Sequence, residues 1–120
     1  MQYDWIDEFL LCKKGVTKDF KAEWNWIRYK IDEKLFAAIC FDSNNEPKYI
    51  TLKLNPVDND FFRNQYADII PGYYMNKAHW SSVIVGGNVP DDVLKELLDK
   101  SYMELINTFS KKRKAEILGQ

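Results

Sequence analysis

Apolar residues recur along this chain at two spacings, and the change of spacing marks out its elements. In residues 3–13, Trp5, Ile6, Phe9, Leu10 and Cys12 fall on one face of a helix. Asp4, Asp7 and Glu8 lie early in that segment and Lys13 and Lys14 late, as the helix dipole favours, and Gly15 is placed to end it in a left-handed conformation. After a linker at 16–22 the period becomes two. Residues 24–31 carry Ile27, Tyr29 and Ile31 on one parity and Trp24, Trp26, Arg28 and Lys30 on the other. Asp32, Glu33 and Lys34 form a turn. Residues 35–42 are apolar on both parities, which predicts a central strand, and the stretch from Ser43 to Pro47 has turn chemistry. Residues 48–54 alternate again, with Ile50, Leu52 and Leu54 inward and Tyr49, Thr51 and Lys53 outward.

Asn55 and Pro56 then suit the cap and first turn of a helix, with Phe62, Tyr66 and Ile69 as its stripe. Pro71-Gly72 turns the chain into a hairpin, with strands predicted at 73–75 and 80–85 and a tight connection at 76–79. A long helix follows from Pro90 to about Ala115, striped by Leu94, Leu97, Leu98, Leu105 and Phe109. Ser101 falls inside this stripe, where a small hydroxyl either lets the helix approach its neighbour or bonds a carbonyl one turn back. The order read is α-β-β-β-α-β-β-α. It predicts a two-layer α+β domain over residues 1–120, with an antiparallel sheet of about five strands and helices on one face.

Composition changes this picture little. A 46% hydrophobic content with 15% aromatics supplies a core that needs no disulfide or metal. Lys and Arg number 17 against 18 Asp and Glu, so any nucleic-acid role must come from a local patch. Cys12 and Cys40 are isolated and apolar in context, as small core residues of a reducing compartment are. No basic start precedes a long apolar run and no stretch approaches about 20 apolar residues, so a cytoplasmic protein is expected. Gly86-Gly87 lacks a phosphate-loop or dinucleotide setting, and no cofactor or metal is predicted. The expected state is a monomer or weak dimer, with no membrane partner.

The outward parity of the strands is the best candidate surface. Trp24, Trp26, Arg28, Lys30, Tyr49, Thr51 and Lys53 share it, and rings that stack beside cations that neutralise phosphate suit nucleic acid. The same residues also suit plain shielding of a sheet by aromatic rings and lysine stems. His79, the one histidine, lacks a second ligand or a placed nucleophile. It reads as a ring that bonds a carbonyl and fixes the turn before Trp80; catalysis would need Tyr74, Ser81 or Ser82 beside it. Lys77 sits in the hairpin connection, either solvated or on a phosphate. Lys111-Lys112-Arg113-Lys114 reads as the solvated cationic end of the long helix.

Three runs carry a resemblance: Tyr49-Ile50-Thr51-Leu52-Lys53-Leu54-Asn55-Pro56; Pro71-Gly72-Tyr73-Tyr74-Met75-Asn76-Lys77-Ala78-His79-Trp80; and Val89-Pro90-Asp91-Asp92 through Ser101-Tyr102. Over about residues 35–115 the chain resembles the MmcQ/YjbR family of small bacterial proteins. Before the first strand, where many members carry a Pro-Phe-Gly-like run, this chain has Phe20-Lys21-Ala22-Glu23-Trp24-Asn25-Trp26. The resemblance implies a frataxin-like α+β fold of the double-wing kind and, by likeness of fold, DNA binding. Lys53, Asn76, Lys77, His79 and Trp80 occupy motif positions. The residues expected at a nucleic-acid surface are therefore Trp26, Arg28, Lys30, Tyr49, Lys53, Asn76 and Lys77, with His79, Trp80, Ser101 and Tyr102 structural. A protein-interaction or chaperone-like module without enzymatic activity is the alternative.

Overall fold

The computed structural model describes residues 2–72 and 75–119. In chain order its elements are α1 (Ile6–Leu11), β1 (Thr17–Lys21), β2 (Trp26–Ile31), β3 (Lys34–Phe41), β4 (Pro47–Lys53), α2 (Pro56–Gln65), β5 (Ile69–Pro71), β6 (Trp80–Ile84), α3 (Asp91–Ile106) and α4 (Lys111–Leu118). The strands form one antiparallel sheet in the order β1-β2-β3-β4-β6-β5. The fold is α+β as expected, with helices against one face.

The inward parity supplies the core. Tyr29 and Ile31 of β2, Ile39 of β3, Ile50 and Leu52 of β4 and Val83 of β6 meet Ile6 and Leu10 of α1, Phe62 of α2, Leu94, Leu97, Leu98, Leu105 and Ile106 of α3, and Ile117 of α4. In β3 the run from Phe36 to Cys40 is buried without a break. Ile39 and Ala37 face the helices, while Ala38 and Cys40 belong to a smaller cluster with Trp26 on the other face.

Four elements differ from the sequence reading. β1 lies where a linker was expected. It is an edge strand largely exposed on both faces, so burial left no alternation in it, and its lysines discourage further pairing. The second helix stops at Gln65 because Tyr66 turns to extended backbone, and Ile69 opens β5. Ile69 is buried either way, since i+7 on a helix stripe and the first residue of the strand both reach the core. The hairpin partner of β6 is therefore Ile69–Pro71, and of the strand predicted at 73–75, residues 73 and 74 lie outside the described residues while Met75 is not in a strand. Gly72 is needed there: a Cβ would stand 2.7 Å from the Trp80 Cβ.

The last helix breaks at 107–110, and Ser110 caps α4 by accepting the Arg113 N–H at 3.1 Å. The run from Lys111 to Lys114 thus opens a helix and does not close one. These cations meet the positive end of the dipole, and Arg113 is held by a bidentate pair with Asp32 at 2.7 and 2.7 Å. That pair clasps α4 to the β2–β3 turn. Lys14 Nζ donates to the Leu118 carbonyl at 2.9 Å, and Ile117 packs so close to Gly15 that a Cβ there would meet it at 2.9 Å. The N-terminal segment is tied down again by Tyr3, which donates to the Val89 carbonyl at 2.6 Å.

α3 packs on β3 and β4, and Ser101 bonds it to both strands. The β3–β4 ladder starts at the Ala37–Leu52 pair, so Phe36 and Lys53 are the next pair out. Between them stands the fully buried Ser101 hydroxyl, donating to the Phe36 carbonyl at 2.7 Å and accepting the Lys53 N–H at 3.1 Å. It bonds across to the sheet, not one turn back along its own helix. The neighbouring Tyr102 hydroxyl donates to the Lys14 carbonyl. Removing a partner from two buried backbone groups costs about 1–3 kcal/mol each when no water replaces it. Ser101→Ala is expected to lower the unfolding free energy by about 2–4 kcal/mol. Urea denaturation should show a lower midpoint with an unchanged slope.

Candidate functional site

The face that the helices leave bare is organised in rows by the strand register. One row runs Trp26, Cys40, Tyr49, Ile84; the next runs Asp19, Arg28, Ala38, Thr51, Ser82, Ile70; Lys53 stands opposite Trp80 beyond them. The centre of this face is covered. Ala38, Cys40, Thr51 and Ser82 are all buried, and Met75, from the connection between β5 and β6, packs on the cluster of Trp26, Ala38 and Cys40. Beneath it the Thr51 and Ser82 hydroxyls share a hydrogen bond of 2.9 Å, and the Cys40 thiol lies 3.5 Å from Thr51 Oγ1. Burial pushes the Cys40 thiol up to about 12, so it stays protonated and inert.

Met75 is carried there by a connection that α2 holds in place. Asn59, fully buried on the inner stripe of α2, donates to the Leu54 and Ala78 carbonyls at 3.0 and 2.9 Å and accepts from the Ser81 hydroxyl at 2.6 Å. One turn later Arg63 donates from Nε to Ser81 Oγ at 3.0 Å and from Nη2 to the Lys77 and Trp80 carbonyls. Desolvation lowers the Arg63 pKa, the expected sign for a guanidinium bonded mainly to neutral acceptors.

Asp19 decides the electrostatics of the bare face. Arg28 donates to it through Nε at 2.7 Å and Nη2 at 2.8 Å, and Lys30 pairs with it at 2.7 Å and with Glu33 at 2.9 Å. Hydrogen bonds from Arg28 and then Lys30 hold the Asp19 carboxyl far below the usual carboxylate range. Two of the expected cations are thus neutralised by the strand that the sequence pattern hid.

At one end of the face the rings form a cleft of about 670 Å³. Glu23 and Trp24 line it from the β1–β2 turn, Trp26 and Cys40 from the floor, and Phe41, Asp42, Ser43, Lys48 and Tyr49 from β3, β4 and the turn between them. Trp24 is 50% exposed and Trp26 only 4%; their rings meet edge to face at 5.2 Å. Arg28 and Lys21 each lie 5.5 Å from the Trp24 ring centre, and Lys48 Nζ lies 5.3 Å from that of Tyr49.

The expected surface residues therefore divide. Trp26, Arg28, Lys30, Tyr49 and Lys53 do share one face, but Trp26 is buried and Arg28 and Lys30 are paired. Lys53 lies four residues along β4 from Tyr49, about 13 Å at strand rise. Asn76 is occupied in the turn, accepting the Ala78 N–H at 2.9 Å. Lys77 is exposed, its ammonium 3.5 Å from the Gly72 carbonyl. His79 is exposed and its ring bonds no carbonyl among the described residues; the residue fixes the turn through its own carbonyl, which accepts the Leu54 N–H at 2.9 Å. Trp80 does set the hairpin, its carbonyl accepting the Gly72 N–H at 2.8 Å. Sequence reasoning missed Asp19, Glu23, Asp42 and Lys48 around the cleft, and Asn59 and Arg63 behind the connection. The signal for Asn59 was present: an asparagine three residues before Phe62, inside an apolar stripe. Among the described residues no group of three or more His, Cys, Asp or Glu could hold a metal ion. No helix among them is long and apolar enough to cross a membrane.

A two-layer α+β domain with a partly covered second sheet face and a terminal aromatic cleft is the class that this geometry defines. The YjbR family model matches residues 11–104, and the chain belongs to that family. The chain is 29% identical over 107 residues to the uncharacterised protein YjbR of Escherichia coli K12, covering 89% of each chain. It is 33% identical over 102 residues to the uncharacterised YyaQ of Bacillus subtilis, covering 75% of this chain and 86% of that one. The crystal structure of Deinococcus radiodurans DR2400 superposes with a TM-score of 0.82 at 25% identity, covering 93% of this chain and 84% of that one. The match begins at residue 11, well before the 35–115 span where the resemblance was read, and so takes in the β1–β2 hairpin.

The Asp19 cluster generates a pH prediction. Because its folded pKa lies below the unfolded value of about 3.9, its contribution to stability is present above that value and is lost only as pH falls through the lower folded one. Carboxyl carbon titration by NMR should find Asp19 still ionised below the ordinary carboxylate value of about 3.9. Titration of Asp19 at that ordinary value would contradict the cluster.

Proposed function

We propose that the chain is a DNA-binding module of the YjbR type, with no catalytic chemistry of its own, that works through the bare sheet face. One observation carries this reading. The rings of Trp24 and Tyr49 and the ammonium groups of Lys48 and Lys53 share that face, Lys77 projects from the connection beside it, and none of these lysines is paired with a carboxylate among the described residues. Rings supply stacking area that every base can use, and unpaired lysines release counterions when they meet phosphate. The family resemblance adds fold-level analogy in the same direction.

A second reading, a protein-interaction module, is favoured by a different observation. Asp19 and Glu33 cancel Arg28 and Lys30, the whole chain carries a net charge of −1, and the apolar rings are what remains exposed. A partner with an apolar anchor would suit such a surface.

Tryptophan fluorescence titrated with single-stranded and duplex DNA at about 50 and 200 mM salt separates the two. The DNA reading expects affinity to fall with salt and expects Lys53→Ala/Lys77→Ala to flatten that slope by one to two units. Absence of binding to either form at low salt, or affinity indifferent to salt, would sink it, and a defined protein partner retained at high salt would then support the second reading.

A further inference from the structure

We infer that the cleft beside Trp24 takes an unpaired nucleobase, so that the ligand of this face is single-stranded DNA in preference to duplex. The inference rests on the DNA reading above and goes further by naming the form of the strand and the residues that select it.

The first support is shape. A base offers its flat face to a ring only when it is unstacked on that side, and a duplex interior has no such face to give. Trp24 stands half exposed at the mouth of a concave cleft of about 670 Å³, braced edge to face by the buried Trp26, so its orientation is set before any ligand arrives. A duplex backbone passing over this concavity would leave the exposed face of Trp24 unstacked by a base.

The second support is the charge on the rim. Duplex DNA carries about one negative charge per 1.7 Å of axis, and a protein that binds it well lays several cations along that line. Here the lining carries two carboxylates, Glu23 and Asp42, along with Lys48, and Glu23 pairs with Lys21 at 3.7 Å. Beyond it Arg28 and Lys30 are spent on Asp19 and Glu33, and the next unpaired cation of the face, Lys53, stands about 13 Å along β4. No continuous basic track crosses the face. A single strand tolerates this pattern, because one phosphate can approach Lys48 while its base turns inward. The carboxylates that repel a row of phosphates can accept hydrogen bonds from the exocyclic amines of a base.

The third support is the pairing of rings with cations. Lys48 lies over the half-buried Tyr49 ring, and Lys21, which also pairs with Glu23 at 3.7 Å, lies over the half-exposed Trp24 ring, so an ammonium stands beside each ring, the arrangement needed to hold phosphate and base of one nucleotide together.

The test uses fluorescence anisotropy of a labelled single strand of about 12 nucleotides and of a hairpin duplex of the same sequence, at low salt. The wild-type chain is expected to bind the single strand at least about tenfold more tightly than the duplex. Trp24→Ala is expected to cost the single strand about tenfold, a loss of about one stacked base, and so to erase most of its preference over duplex. Trp24→Phe should restore most of it. Trp24 lies half exposed in a turn, and thermal melts of each variant would verify that the fold persists. A base analogue that fluoresces when unstacked, placed within the strand, should respond to wild type and not to Trp24→Ala. Duplex bound as tightly as single strand, or single-strand affinity unmoved by Trp24→Ala, overturns the inference and leaves the DNA reading standing. Failure of both forms to bind overturns both.

Discussion

The Ser101 hydroxyl is the interaction on which the arrangement depends. α3 lies across the middle strands, and a side chain of any size at this point would hold it away from them. A serine lets the helix settle and also completes a ladder that β3 and β4 leave unfinished, joining Phe36 to Lys53 through one oxygen. The divergence of those strands is thereby tolerated at a buried position, where two orphaned backbone groups would otherwise be costly. Lys53 leaves the β3–β4 ladder at this junction while still pairing with Trp80 of β6, so the same hydroxyl that seats the helix also fixes the backbone of a half-buried cation of the opposite face.

The second layer of the sheet is best described as divided. Met75 and the Cys40–Thr51–Ser82 row close its centre, the aromatic cleft occupies one end, and Lys53 with the β5–β6 connection occupies the other. The division is maintained from the far side, because Asn59 and Arg63 of α2 grip the carbonyls of Lys77, Ala78 and Trp80. A conspicuous sequence run is therefore held largely by residues outside it, and of its exposed members Lys77 reaches only the Gly72 carbonyl, at 3.5 Å.

Much of the fold was legible because burial leaves periodicity behind. Ile27, Tyr29 and Ile31, the unbroken apolar run of β3, and the leucines of α3 each announced their element and its inward side. Asn55 announced the cap of α2 and accepts the Asp58 N–H at 2.8 Å. β1 was illegible for the same physical reason in reverse: an exposed edge strand gains nothing from alternation. The break at 107–110 was hidden because Leu105 and Phe109 continue the helical spacing across it. The cleft was partly legible. Trp24, Trp26 and Tyr49 were placed on the right face, whereas the cancellation of Arg28 and Lys30 depended on Asp19, a partner visible only once β1 is known to be a strand.

The long-range ties of the residues flanking α1, and of the β2–β3 turn, carry a consequence for how the domain folds. Tyr3 bonds to Val89, Lys14 receives Tyr102 and reaches Leu118, and Asp32 receives Arg113. Each tie spans roughly eighty to a hundred residues, so residues synthesised early in this domain have partners synthesised late in it. The sheet from β2 to β6 can assemble through neighbouring strands, but α1 must wait, its apolar face uncovered, until α3 has been synthesised. During that interval Trp5, Ile6, Phe9 and Leu10 leave uncovered the apolar surface that the finished core encloses.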